Sequence, residues 1–492
     1  MIKRTRRILA AAMFVCVTLL FLDFTGSLHA WLGWVAKVQF VPALLAANVV
    51  AVALLVVFTL VFGRIYCSVV CPLGIAQDLL ARLNTKKNKY AYSSPSTWLR
   101  VGVLVCFVAL IAMGMVSIAG LIEPYSIYGR VAQSLLQPIY VGANNVVAFA
   151  AKHLDSYAFY DREVWLRGGV TLVAAVVSVA VIAILAIRGG RTYCNTICPV
   201  GTLLGFVSRF SWLKVSIDAD KCMNCRKCER ACKASCIDIK THTVDYSRCV
   251  VCGNCLEQCS FDALQYCHPK EAGVAQQGST SGTEASGRRE FLVGAGLAVT
   301  SLALAQEKKK VDGGLAVIED KIRPERKTKI TPPGSLSADH MNKHCTACQL
   351  CVSACPNDVL RPDTSFESLM QPTASYERGY CRPECNRCSQ VCPAGAIKPI
   401  TLADKSSIQV GHAVWVKKNC IVVSDGVACG NCARHCPTGA IQMVETSIEG
   451  RTAMIPAVNE ARCIGCGACE NLCPSRPLSA IYVEGHEIHK EI

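Results

Sequence analysis

The chain contains no C-x-x-C-H, so it offers no attachment site for a c-type haem. None of its ten histidines lies within the apolar runs 8–22, 40–62, 101–122 and 170–187, which argues against a b-type haem held between helices. A glycine-rich phosphate loop and a dinucleotide fingerprint are both missing, so nucleotide-dependent chemistry is not expected. Aromatic residues make up only 7%, and 36 acidic residues face 51 Lys and Arg, for a formal charge of +15. No recognised nucleic-acid motif accompanies that charge, so nucleic acid is not expected as a partner. Cysteine, by contrast, is abundant.

Thirty-two cysteines in 492 residues are far too many for core packing and call for disulfides or metal. Hydrophobic residues reach 52%, and the four apolar runs place part of the chain in lipid. Runs two and three each satisfy the requirement of about 20 residues per bilayer crossing. The first runs into Asp23, but Trp31 and Trp34 behind it stand where interfacial anchors belong. Lys3, Arg4, Arg6 and Arg7 precede the first run, and Arg64, Arg82, Lys86, Lys87 and Lys89 follow the second. The positive-inside rule therefore puts the N-terminus, the 63–97 loop and the segment after run four in the cytoplasm, with 123–167 outside.

After residue 220 the cysteines fall into quartets. Cys222, Cys225, Cys228 and Cys232 are spaced C-x2-C-x2-C-x3-C, as are Cys249, Cys252, Cys255 and Cys259. The spacing recurs at Cys345, Cys348, Cys351 and Cys355, and at Cys463, Cys466, Cys469 and Cys473. Cys381, Cys385, Cys388 and Cys392 add one residue to the first gap, and Cys420, Cys429, Cys432 and Cys436 lengthen it further. Three thiolates two residues apart can wrap a loop around one face of a [4Fe–4S] cube, while the fourth starts a helix and ligates a partner cluster. A disulfide framework would not show such fixed spacing. Six [4Fe–4S] clusters are expected, each with its thiolates adding roughly −2 and together offsetting most of the positive charge.

Crossed ligation is expected in the first pair: Cys222, Cys225 and Cys228 with Cys259, and Cys249, Cys252 and Cys255 with Cys232. For the last four motifs the long gap after Cys420 hints at nested pairing, first with last and second with third, but the sequence does not decide the pairing. Cys236 and Cys267 are read as bystanders, and Cys16 and Cys106 as packing residues within apolar runs.

Two stretches echo each other, RIYCSVVCPLG at 64–74 and RTYCNTICPVG at 191–201. Arg64, Tyr66, Cys67, Cys71, Pro72 and Gly74 match Arg191, Tyr193, Cys194, Cys198, Pro199 and Gly201, so the membrane part reads as a tandem repeat. Residues i and i+4 share a helical face, and the proline breaks or restarts the helix. Cys67, Cys71, Cys194 and Cys198 are expected to converge on a seventh iron–sulfur centre; the competing reading is two reduced pairs that pack or exchange electrons as dithiols.

The chain thus divides into a membrane domain at 1–215, a cytoplasmic two-cluster ferredoxin at 216–268 and a linker at 269–287. A second linker at 307–335 leads to a four-cluster ferredoxin at 336–492. Between the linkers, 288–306 has paired Arg288 and Arg289, an apolar stretch and Ala303-Leu304-Ala305, the pattern of a twin-arginine signal or a short fifth span. The fold class expected is a membrane α-helical bundle, four spans plus a short fifth, with α+β bacterial ferredoxin-like 4Fe-4S domains.

Four spans, two C-x3-C-P motifs and a cytoplasmic two-cluster ferredoxin resemble the NapH-type membrane ferredoxin of periplasmic nitrate reductase systems. Residues 288–492, with the paired arginines and four cluster motifs, resemble the periplasmic NapG type, and the methylamine-utilisation ferredoxins are similar. The resemblance implies a quinol dehydrogenase module, here as a fusion, in the bacterial inner membrane. It would oxidise quinol, menaquinol by preference, and deliver electrons to a periplasmic c-type cytochrome or reductase subunit. The C-terminal domain would then be periplasmic. No catalytic acid–base pair is assigned; Asp78, Glu123 and His153 are candidate proton acceptors, each with a solvated polar reading beside it. A maturation or redox-sensing role is the alternative from another class, and the same chain run toward quinone reduction is a third.

Overall fold

The computed structural model describes residues 2–23, 25–84, 90–155, 158–268, 320–448 and 450–492. The twin-arginine-like segment at 288–306 and the linker at 269–287 lie outside the described residues.

Among the described residues two helices are long and apolar enough to cross a membrane: Lys3–Leu22 within α1 (Ile2–Leu22), and α11 (Gly169–Gly189). At 1.5 Å per residue each reaches roughly 31 Å, about the thickness of a hydrocarbon core. The other two apolar runs are interrupted. The run at 40–62 splits into α3 (Phe40–Leu45) and α4 (Val49–Phe62), because Ala47 is left-handed at φ 52° and the Asn48 side chain caps α4 by accepting from Ala51 N–H at 3.1 Å. The run at 101–122 splits at Gly114, φ 76°, into α7 (Thr97–Ala112) and α8 (Val116–Ala119). α4 and α7 thus span only about 21 and 24 Å, a difference from the sequence reading that apolar character alone could not reveal.

α2 (Ser27–Lys37) follows α1 and exposes Trp31 and Trp34. The 123–167 loop is largely helical: α9 (Pro124–Val131) passes through a π-turn at Ala132–Leu136 into α10 (Gln137–His153). Glu123 caps α9, accepting from the backbone N–H of Tyr125 (3.0 Å) and Ser126 (2.5 Å), and Pro124 takes the first helical position where its missing N–H costs nothing.

Each C-x3-C-P motif forms a break between two helices. Cys67 lies in the short α5 (Tyr66–Val69), and Cys71 is the extended N-cap of α6 (Pro72–Leu80). The second copy repeats this, with Cys194 in α12 (Thr192–Thr196) and Cys198 capping α13 (Pro199–Ser208). The two cysteines of a motif therefore do not share one continuous helical face; the proline restarts the helix instead.

Two ferredoxin-like units follow, built from short antiparallel strands. In 214–267, β1 (Lys214–Ile217) pairs with β4 (Leu264–Cys267), and β2 (Ile237–Asp238) with β3 (Thr243–Val244). In the C-terminal unit β5 (Leu360–Pro362) pairs with β6 (Pro372–Ala374), and β8 (Ile441–Ile448) with β9 (Arg451–Val458). β7 (Ile408–Trp415) and β10 (Ile481–Glu491) join those two halves.

The units pack against opposite ends of the helices. At the first unit, Arg64 and Arg100 donate to Ser247 O at 2.8 and 3.1 Å, Tyr266 OH donates to Phe62 O at 2.9 Å, and Lys3 pairs with Glu257. At the C-terminal unit, Arg167 pairs with Asp358 at 3.0 Å, and Gln137 donates to Ser353 O at 3.3 Å. Val17, Leu20 and Phe21, at the far end of α1 from Lys3, share a core with Cys345, Cys348 and Cys351.

Candidate iron–sulfur centres

All four regular C-x2-C-x2-C loops use the same backbone device. Residues three and five of each are left-handed: Asn224 and Arg226, Val251 and Gly253, Ala347 and Gln349, Gly465 and Gly467. This alternation curls the loop so that its sulfurs turn inward, and the non-glycine members store strain at a functional site. The third cysteine then lies in a five-residue helix that the fourth closes, as Cys228 and Cys232 do in Lys227–Ala231. The fourth cysteine ends a helical turn rather than starting one.

No disulfide joins any two of the described cysteines. Among the described residues no three His, Cys, Asp or Glu side chains converge on a single metal ion. The quartets line cavities instead. Cys222, Cys225, Cys228 and Cys259 line one, beside Ile217, Phe261 and Leu264. Cys232, Cys249, Cys252 and Cys255 line a second, together with Cys236. In the C-terminal unit Cys355, Cys381, Cys385 and Cys388 share a cavity that Cys466 also borders. Cys420, Cys429, Cys432 and Cys473 form another, and Cys436, Cys463, Cys466 and Cys469 the next. Cys345, Cys348, Cys351 and Cys392 are electrostatic neighbours in the core of the same unit.

The cysteine groups in the C-terminal unit therefore join adjacent motifs: 345–355 with 381–392, and 420–436 with 463–473. The nested order expected from the gap after Cys420 is corrected. That gap is taken up locally by the turn of helix Ile421–Ser424 and left-handed Gly426, while the β5–β6 and β8–β9 hairpins fold each motif onto its sequence neighbour. The two halves meet where Cys381 N–H donates to Cys466 O at 2.9 Å, beside Tyr376, whose hydroxyl donates to Gly465 O at 2.7 Å.

Burial pushes the thiols of Cys228, Cys252 and Cys432 up to about 11, and those of Cys348 and Cys466 to about 12. Such thiols stay protonated at neutral pH until iron displaces the proton. The donor set and its dry surroundings fit an iron–sulfur cluster.

Cys236, read from spacing as a bystander, is a fully buried neighbour of Cys232, with the sulfurs 3.5 Å apart. Its thiol, hydrogen-bonded to Cys232, holds the Cys232 thiol below the ordinary thiol range. A hydrogen bond to a ligand sulfur favours the reduced cluster. Cys236→Ala should leave iron content unchanged and lower one midpoint potential by about 20–60 mV, the electrical equivalent of one hydrogen bond. A redox titration followed by electron paramagnetic resonance (EPR) reads this, and an unmoved potential contradicts it. Cys267 lies 3.6 Å from Ser216 Oγ at the strand edge and borders none of these cavities.

The C-x3-C-P pairs share one buried hydrophobic cluster. Cys67, Cys71, Cys194 and Cys198 are all at most 4% exposed, in one core with Tyr66 and Tyr193. Arginines are exchanged between the copies: Arg64 donates to Cys194 O at 3.1 Å, and Arg191 to Cys67 O at 2.5 Å.

Asp78 serves as the counter-ion of three cations. Burial alone would raise its carboxyl, but Arg191, Lys233 and Arg6, at 2.9, 3.3 and 3.2 Å, hold it well below the ordinary carboxylate range. Glu123 is 2% exposed, and burial pushes its carboxyl up. His153 is exposed at the end of α10, edge-on to Phe149.

Family profiles described as "4Fe-4S binding domain" match residues 44–90 and 171–217, and another of that description matches 242–265. A "4Fe-4S dicluster domain" profile matches 344–396 and 427–476, the same adjacent pairs that share cavities. MauM of Methylophilus methylotrophus, a methylamine utilization ferredoxin-type protein, is 34% identical over 168 residues, 32% of this chain and 72% of its own. The ferredoxin-type protein NapF of Escherichia coli strain K12 is 30% identical over 158 residues, 32% of this chain and 87% of its own. YccM of the same strain, named for electron transport, is 28% identical over 227 residues, 44% of this chain and 55% of its own. No solved structure matches the chain. Cluster-binding loops throughout, and relatives matched over most of their length, make this chain a member of the ferredoxin-type 4Fe-4S proteins related to MauM and NapF, an iron–sulfur electron-transfer protein.

Proposed function

We propose that the protein is a membrane-bound quinol dehydrogenase module that passes electrons from quinol, menaquinol by preference, to a periplasmic cytochrome or reductase. The observation that carries this reading is a band of outward apolar side chains separating the two ferredoxin units. Val50, Leu54, Val57 and Phe58 of α4, Val105 and Val108 of α7, and Val173, Val177 and Val181 of α11 are all exposed. In water such a band would be a severe liability, and in lipid it is solvated. Trp31 and Trp34 flank the band at one end, and Trp98, Phe210 and Trp212 at the other, as interfacial belts do. The first unit would then be cytoplasmic and the C-terminal unit periplasmic, in a multi-pass inner-membrane protein.

Six ligand sets follow from the cysteine groupings. Cys222, Cys225, Cys228 and Cys259 would hold one cluster; Cys232, Cys249, Cys252 and Cys255 the second; and Cys345, Cys348, Cys351 and Cys392 the third. Cys355, Cys381, Cys385 and Cys388 would hold the fourth; Cys436, Cys463, Cys466 and Cys469 the fifth; and Cys420, Cys429, Cys432 and Cys473 the sixth. Clusters bound there would each exchange one electron at a time. The chain supplies dry cavities, two of which adjoin in the C-terminal unit, where Cys466 borders both. Glu123, buried and raised at the seam with the C-terminal unit, is the group best suited to take a quinol proton.

Mixing anoxic holoprotein with menadiol tests the proposal. Bleaching of the cluster absorbance within seconds is the expected result. If dithionite bleaches the protein and menadiol does not, the quinol reading falls.

A further inference from the structure

Each of the segments 44–90 and 171–217 matches a 4Fe-4S binding profile, yet each contains only two cysteines, Cys67 and Cys71 or Cys194 and Cys198. Neither half can supply four thiolates. The fold brings the halves together with an approximate two-fold relation. Arg64 reaches Cys194 O and Arg191 reaches Cys67 O, while Gly74 and Gly201 hold equivalent places in α6 and α13. A Cβ added at Gly74 would meet Cys67 O at 2.3 Å and Arg191 Nη1 at 2.7 Å. At Gly201 it would meet Cys194 O at 2.2 Å and Arg64 Nη2 at 2.9 Å. The two glycines thus let the cysteine loops close on each other.

The sulfurs already face donors. Gln77 Nε2 lies 3.2 Å from Cys194 Sγ, Gly201 N–H 3.3 Å from Cys198 Sγ, and Arg64 Nη2 3.8 Å from Cys67 Sγ. Arg64 has no exposed surface, and its other acceptors, Asn195 Oδ1, Ser247 O and Cys194 O, are all neutral. Among the described residues no carboxylate pairs with it. Arg64 Nε and Arg191 Nη2, buried here, have no hydrogen-bond partner. A buried guanidinium without an anion is costly. Four thiolates around a [4Fe–4S] core carry roughly −2, an anionic charge of the kind Arg64 lacks, whereas Arg191 already pairs with Asp78.

The position is as informative as the chemistry. The core holding the four cysteines includes Val250, which lies between Cys249 and Cys252 of the first unit, and also Ala119 and Ile127 of the opposite end. Arg64 bridges to Ser247, two residues before Cys249. On the other side Tyr193 OH donates to Ile122 O at 2.6 Å. The corner carrying Ile122 presses on the C-terminal unit: Cβ atoms at Gly120 and Gly129 would meet Thr346 O at 2.3 Å and Cys348 O at 2.2 Å.

We propose that Cys67, Cys71, Cys194 and Cys198 hold one shared iron–sulfur cluster, two ligands from each repeat, and that electrons pass through it between the two ferredoxin units. The inference rests on the cluster-carrying and membrane-spanning parts of the proposed function and needs no quinol. A cluster held by Cys67, Cys71, Cys194 and Cys198 would take up one electron at a time from the cysteine site of Cys232, Cys249, Cys252 and Cys255 and would give it on to that of Cys345, Cys348, Cys351 and Cys392. No bond forms or breaks and no proton moves, and the reverse direction balances equally.

The test uses full-length holoprotein in quinone-free phosphatidylcholine vesicles, with dithionite outside and ferricyanide trapped inside. Wild type should carry iron for seven four-iron clusters and reduce the trapped ferricyanide at least tenfold faster than protein-free vesicles. The Cys67→Ser, Cys194→Ser double variant should lose one cluster's iron, keep the EPR signals of the other six, and fall to the protein-free rate. Wild-type iron for only six clusters overturns the proposal whether or not the variant folds. So does a variant with unchanged iron, one that loses iron yet keeps the flux, or a wild type with no flux. Because no quinol is present, failure of menadiol to reduce the protein would leave this result standing.

Discussion

Asp78→Ala should destabilise the helical unit by about 3–5 kcal/mol, the cost of leaving buried charges without their counter-ion. The Asp78 carboxylate receives Arg6 from α1, Arg191 from the second C-x3-C-P motif and Lys233 from the first ferredoxin unit. Those side chains are 6%, 0% and 14% exposed, so water cannot replace the lost partner. One substitution therefore strands three cations from three parts of the chain. Arg191 also anchors the backbone of Cys67, so the cysteine site should loosen with it. Denaturant titration in detergent, read by tryptophan fluorescence, measures the effect. A loss under about 1 kcal/mol would show that the cations relax to solvent, as surface pairs do.

Glu470→Ala should cost the C-terminal unit a comparable amount, about 3–5 kcal/mol. Arg326 Nη2 donates to Glu470 Oε1 at 2.5 Å, and Val483 N–H donates to Glu470 Oε2 at 2.8 Å. The two side chains are 2% and 3% exposed. Removing the carboxylate leaves a buried guanidinium and a buried strand N–H unsatisfied at once. Burial pushes the Glu470 carboxyl up, which Arg326 and the Val483 N–H oppose. Glu470→Gln keeps the acceptor for Val483 and should recover part of the loss. If Ala and Gln variants unfold alike, the charge, not the hydrogen bond to β10, carries the whole effect. Thermal unfolding of the holoprotein followed by cluster absorbance distinguishes these outcomes.

The residues that loosen under these substitutions were not legible as such from the sequence. Asp78 reads there as a polar residue near a membrane boundary, since nothing local announces three cations arriving from residues 6, 191 and 233. Cys236 reads as spare because it stands outside every quartet, and only the turn at Ser235 and the β2–β3 hairpin bring it against Cys232. The helices at 124–153 escaped notice because their apolar residues are spread among polar ones, with no long run to mark them.

By itself the sequence determined which cysteines could act together within a loop, because a C-x2-C-x2-C spacing with two left-handed residues curls the same way wherever it stands. It also determined the repeat of the C-x3-C-P motifs and the presence of long apolar helices, both of which are local properties. Only the tertiary structure decided which fourth cysteine completes each cavity, since that depends on hairpins that fold neighbouring motifs together. It alone decided that Cys67 and Cys71 meet Cys194 and Cys198, 127 residues away in sequence. It also set the two ferredoxin units at opposite ends of α1. Those outcomes follow from burial and charge pairing between distant segments, for which local spacing carries no signal.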